Sequence, residues 1–194
     1  MQKLAREDLW SLEEYAQKRT AFRTQIMAHK QARALTIGPN VRLLFEDRLT
    51  MQYQVQEMLR VERIFEPAGI REELDTYNSL IPDGCDWKAT MMIEFDDIAE
   101  RQKALARYIG IEDETWMQVL GHAKVKAIAD EDMQRETSEK TSSVHFLRFE
   151  LTPTMVKSLK NGATLNAGVN HTNYNYSVEP VPETLRKALL ADLS

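Results

Sequence analysis

The sequence predicts an α+β protein, with helices concentrated in the first half and a largely antiparallel sheet in the second. Two observations carry this. Between residues 1 and 84 the apolar residues recur mostly at helical spacing, and from Trp87 onward they alternate in short runs separated by tight turns. Strands joined by tight turns pair antiparallel, whereas a doubly wound fold needs a helix between successive strands. A chain of 194 residues is enough for one domain with a real core, here expected over 1–194. Its helical part covers about 1–84 and its sheet-rich part about 85–194.

Ser11-Leu12-Glu13-Glu14 has the form of a capping box and opens a first helix. A second helix is predicted from about Thr20 to Ala34, with Phe22, Ile26 and His29 on one face. Ala34–Ile37 and Val41–Phe45 flank Gly38-Pro39-Asn40, which reads as a β-hairpin. The longest helix is expected from about Glu46 to Phe65, with Met51, Val55, Met58, Leu59 and Phe65 as its apolar stripe and Pro67 and Gly69 ending it. A helix over Ile70–Leu80 stops at Pro82-Asp83-Gly84.

From Trp87 to Phe95 every second residue is apolar or small, the period of a half-buried strand. Asp97 and Glu100 open a helix that ends near Gly110. Trp116–Leu120 and Lys124–Ala129 form a hairpin around Gly121-His122, and Val144–Leu151 is a strand. Thr152-Pro153 caps a short helix that stops at Asn161-Gly162. Ala163–Val169 and Tyr174–Val178 flank a turn over Asn170–Asn173, and Pro182 introduces a last helix. Asp130–Ser143 is the one long polar stretch; it reads as a lid, a short exposed helix or a plain loop.

A net charge of −5 gives no support for tracking a nucleic-acid backbone, so no nucleic-acid partner is expected. The locally basic group of His29, Lys30, Arg33 and Arg42 reads as a solvated face or as an anion or partner site. The first residues are charged and no long apolar run follows, so neither a signal peptide nor a membrane partner is expected, and a cytoplasmic location is expected. Cys85 is the sole cysteine, which excludes an internal disulfide and a cysteine-held iron–sulfur cluster. No glycine-rich nucleotide motif, GxSxG elbow or HExxH pair occurs.

Three polar constellations remain. His145 alternates onto the face of Leu147, Phe149 and Leu151, which reads as a core histidine or as a metal ligand or general base. Glu46, Thr50, Tyr53, Glu57 and Arg60 follow at steps of three and four residues, which puts Glu46, Glu57 and Arg60 on one helical face. Glu46, Glu57 and His145 are the candidate ligands of a divalent metal, and Glu57, Arg60 and His145 the candidate catalytic residues. Asn166, Asn170, His171, Asn173, Tyr174 and Tyr176 read as turn chemistry, or as a ligand or partner surface centred on His171 and Tyr174.

The segments Leu43–Arg48, Gln52–Arg60, Leu80–Gly84, Trp87–Thr90 and His145–Phe149, with Leu12–Tyr15, resemble a bacterial family designated domain of unknown function 3501. The resemblance covers nearly the whole chain and carries no catalytic residues with it. It implies a cytoplasmic accessory role, because members are often encoded near a rubrerythrin-like iron protein and a heterodisulfide-reductase-like iron–sulfur protein. Two readings follow: a non-enzymatic partner of an iron-dependent peroxide or electron-transfer system, or a metal-dependent or acid–base enzyme with Glu46, Glu57, Arg60 and His145 converging under Asp130–Ser143. A homodimer is compatible with either.

Overall fold

The computed structural model describes residues 2–194. A 3-10 turn, Arg6–Asp8, precedes α1 (Leu12–Ala32), whose cap is Ser11 accepting from the Glu14 N–H. This is one continuous helix where two were expected. Neither Gly nor Pro lies between Leu12 and Ala32, so nothing in the backbone ends it. It is also the longest helix, in place of the one expected from Glu46.

The hairpin β1 (Ala34–Ile37) and β2 (Val41–Phe45) follows as expected. Next comes α2 (Arg48–Glu62), capped by Asp47, which accepts from the Thr50 N–H while its own N–H donates to Thr50 Oγ1. Glu46 therefore lies outside the helix. Arg63 adopts a left-handed conformation (φ 57°) and ends α2, so Phe65 falls beyond it and is 64% exposed rather than part of its stripe. Pro67 is the first residue of α3 (Pro67–Asn78) instead of a stop for the preceding helix, because a missing N–H costs nothing in a first turn.

The remaining elements are β3 (Asp86–Ile93), α4 (Ile98–Arg107), β4 (Thr115–Val119), β5 (Val125–Lys126), β6 (Ile128–Ala129), β7 (Val144–Glu150), α5 (Pro153–Lys160), β8 (Leu165–His171), β9 (Tyr174–Val178) and α6 (Glu183–Leu190). The strands form two antiparallel sheets, of order β1-β2-β3-β7-β6 and β5-β4-β8-β9. The first hairpin thus belongs to the same sheet as β3, β7 and β6 of the second half. The segment predicted as one strand to Ala129 is broken at Ala127, whose N–H bonds to the Thr115 carbonyl. The chain leaves the second sheet there and joins the edge of the first.

The main core lies where the two sheets face each other. Leu43, Phe45, Trp87, Met91, Leu147 and Phe149 of the first sheet pack with Met117, Val119, Leu165 and Val169 of the second, and Leu159, Leu185 and Leu189 of α5 and α6 close the ends. Gly168 is required at one close approach: a Cβ there would collide with the Trp116 indole. The Tyr174 hydroxyl joins the sheets. It donates to the Ile37 carbonyl (2.6 Å) and accepts from the N–H groups of Asn40 and Val41. Separate apolar clusters hold the helices: Met51, Val55, Leu59, Ile70 and Leu74 between α2 and α3, and Tyr15, Phe22, Ile26 and Tyr53 between α1 and α2.

Candidate functional site: a charged cleft backed by a buried histidine

A cleft of about 950 Å³ opens on the outward face of β3 and β7. Alternation along the two strands aims Lys88, Phe146 and Arg148 outward while Ala89, Leu147 and Phe149 point into the core. The end of α3 and the turn after it form one wall, with Asp75, Tyr77, Ser79, Asp83 and Asp86; Glu131, Asp132 and Arg135 form the other.

The cations of the cleft are held by neighbours. Arg148 makes a two-pronged pair with Glu131, both bonds 2.7 Å, and also contacts Glu150. Arg135 pairs with Asp132 (2.5 and 2.7 Å) and lies 4.6 Å over the Phe146 ring. Lys88 donates to the Ser79 carbonyl. Burial pushes the Asp86 carboxyl above its usual range, while the N–H and thiol of Cys85 hold Asp83 below it. The Cys85 thiol is exposed, and its bond to Asp83 pushes its pKa up, away from a reactive thiolate.

Behind the cleft, on the inward face of β7, stands His145, 0% exposed. Its Nδ1 is 2.6 Å from Asp130 Oδ2, and its Nε2 is 2.9 Å from Thr141 Oγ1, 3.1 Å from the Ser142 carbonyl and 3.7 Å from Glu112 Oε2. Asp130 comes from the residue after β6, Glu112 from the loop between α4 and β4, and Thr141 from the end of the polar stretch. Asp130 connects the two places. Its other oxygen accepts from the Phe146 N–H (3.0 Å) and lies 3.4 Å from Arg135 in the cleft wall. Burial raises the Glu112 carboxyl above its usual range, and a hydrogen bond from its own backbone N–H opposes that rise.

The residues singled out in the sequence are distributed differently. Glu57 sits between α1 and α2, taking two bonds from Arg19 (2.7 and 2.9 Å), one from the Tyr15 hydroxyl (2.7 Å) and weaker ones from Arg60. Glu46 is buried beside β3 and accepts from Thr90 Oγ1 (2.7 Å). Among the described residues, no hydrogen bond or ion pair links Glu46, Glu57 or Arg60 to His145, so these four side chains do not form one cluster. Asp130–Ser143 is a loop pinned at both ends by His145. Tyr174 is buried at the sheet junction and offers no partner surface, and His171 Nε2 is bonded to the Ile109 carbonyl (3.0 Å). Arg33, read as solvated, is buried. Glu112 and Asp130 carry no local signal, since only the crossing of the chain between sheets brings them to His145.

The Glu57 site has a measurable pH signature. Arg19 holds the Glu57 carboxyl down at about 2. A carboxyl depressed in the folded state adds stability above its unfolded pKa and loses it as pH falls through the folded value. Stability is expected to drop between about pH 4.5 and pH 2, and Glu57→Gln to remove about 1–2 kcal/mol of that dependence, since its partners are partly in water. Urea melts at pH 5 and pH 3 measure it; an equal loss of stability between the two pH values for both proteins would refute the assignment.

The fold and site define a two-sheet α+β protein with a charged outer cleft and a sealed carboxylate–histidine cluster. The chain belongs to the family described as protein of unknown function (DUF3501), whose profile matches residues 3–193. It is similar to a crystal structure at 1.90 Å resolution of a novel protein of unknown function from Burkholderia pseudomallei K96243. The two are 46% identical over 100% of both chains, with a TM-score of 0.94. No curated protein matches the chain. Among the described residues, no helix is long and apolar enough to cross a membrane.

Proposed function

We propose that this is a non-enzymatic accessory protein that receives a basic segment of a protein partner in the cleft on the outer face of β3 and β7. The observation that carries this reading is the charge of the cleft. Its lining has five carboxylates (Asp75, Asp83, Asp86, Glu131, Asp132) against three cations (Lys88, Arg135, Arg148). Glu131 and Asp132 have half-exposed side chains, at 51% and 52%, although the arginines they pair with are only 22% and 14% exposed. Their carboxylates therefore face solvent from the cleft wall, where a partner's Lys or Arg can join them without displacing the resident arginines. Catalysis at His145 is disfavoured by its burial, because no substrate atom reaches the ring from solvent. The partner class is the one the family resemblance implies, an iron-dependent peroxide or electron-transfer protein of the rubrerythrin type.

The test is biolayer interferometry of the purified chain against a rubrerythrin-like protein from the same organism. Binding that falls at least tenfold in Glu131→Lys/Asp132→Lys and weakens with salt supports the proposal. No binding, or binding indifferent to both the reversal and salt, refutes it.

A further inference from the structure

The arrangement behind the cleft has a use that partner docking does not require. Glu112 Oε2, His145 Nε2 and Thr141 Oγ1 form a triangle with sides of 3.7, 2.9 and 3.4 Å. The point equidistant from its corners lies about 2.0 Å from each, close to the bond lengths that first-row divalent ions make to imidazole nitrogen and to oxygen. The Ser142 carbonyl, 3.1 Å from Nε2, is a further oxygen on that side of the ring.

The rest of the cluster fits a ligand set. Asp130 at Nδ1 accepts that N–H and fixes the tautomer whose Nε2 lone pair faces Glu112 and Thr141, the outer-shell arrangement that metal-ligating histidines use. Charge points the same way. Asp130 has Arg135 and a backbone N–H to balance it, while Glu112 is 4% exposed and, among the described residues, pairs with no Lys or Arg. The buried Glu112 carboxylate beside the imidazole therefore carries a negative charge that a divalent ion neutralises. The competing arrangement is a protonated imidazole clamped between Asp130 and Glu112, which serves only to tie down the Asp130–Ser143 loop.

We propose that Glu112, His145 and Thr141 form a buried site for one first-row divalent cation, Zn²⁺, Fe²⁺ or Mn²⁺, with Asp130 as the positioning residue on the far ring nitrogen. One nitrogen with two or three oxygens suits these ions and disfavours soft ones. The proposal does not rest on the docking reading.

The experiment uses the full untagged chain, stripped with chelator and dialysed against Zn²⁺, Mn²⁺ or, anaerobically, Fe²⁺, then assayed by inductively coupled plasma mass spectrometry and calorimetric titration. One ion per chain is expected for at least one metal. Glu112→Gln, which keeps the shape of the side chain, should abolish stoichiometric binding, and Asp130→Asn should weaken it about 10–100-fold. Circular dichroism establishes that each variant is folded. If Glu112→Gln does not fold, the nitrogen chemical shifts of His145 in the unmutated chain decide: a shift of Nε2 on saturation supports the site. No bound ion with any of the three metals, an ion held equally by the folded variants, or an Nε2 signal unmoved by saturation overturns it.

Discussion

Arg33→Ala is expected to lower the stability of this protein by about 3–5 kcal/mol, the usual cost of leaving one member of a buried ion pair without its partner. The Arg33 guanidinium donates to the carbonyls of Phe45 (2.9 Å) and Glu46 (3.2 Å), pairs with both oxygens of Asp192 and approaches Asp47 at 3.4 Å. Both side chains of the central pair are 3% exposed. One side chain therefore joins the end of α1, the β2–α2 connection and the C-terminal segment after α6. Burial pushes the Asp192 carboxyl above its usual range and Arg33 pulls it back, so removing the arginine strands a carboxylate in the interior. Urea denaturation at pH 7 reads the loss. The double variant Arg33→Met/Asp192→Leu is expected to recover most of it, because well-packed apolar replacements of a buried pair are often neutral. A single variant costing under about 1 kcal/mol would show that the pair does not hold these segments together.

Asp130→Ala is the second large effect, expected to cost about 2–4 kcal/mol through two orphaned donors, His145 Nδ1 and the Phe146 N–H. Asp130 also sits at φ 50°, a left-handed conformation that Asp and Asn enter more easily than Ala does. Hydrogen exchange followed by mass spectrometry should show faster exchange of the amides from 131 to 143, because that loop loses its clamp at one end. Asp130→Asn keeps the shape and should cost less. Unchanged exchange in Asp130→Ala would mean that the loop is held by its other contacts to the body, such as Glu136 accepting from the Gly110 N–H and the Thr141 N–H donating to the Leu105 carbonyl.

These two residues bear on function in different ways. Arg33 belongs to the scaffold and lies apart from the cleft. Asp130 touches both candidate sites, His145 on one side and the cleft wall through Arg135 on the other. A change at either place reaches the other through a single carboxylate.

Much of the local structure follows from the sequence because its causes are local. The Gly38-Pro39-Asn40 turn, the Thr152-Pro153 cap and the alternation that turns His145 inward each depend on a few neighbouring residues, and each is found as read. The break expected before Thr20 is not found, since an uninterrupted run of helix formers continues, and the helix expected from about Glu46 is found but begins at Arg48, because Asp47 with Thr50 sets the start of α2. The family is legible in whole segments such as Leu43–Arg48 and Gln52–Arg60 for the same reason: a contiguous pattern needs no partner to be recognised. Only the tertiary structure decides that the strands divide into two sheets, that Tyr174 and Arg33 are interior, that Glu57 belongs to Arg19 rather than to His145, and that Glu112, Asp130 and Thr141 surround one imidazole. Glu112 and His145 are 33 residues apart, and periodicity along the chain holds no information about such a distance. Their meeting is set by which sheet edges pair and by where the chain crosses at Ala127, and those are settled by burying the two inner faces against each other.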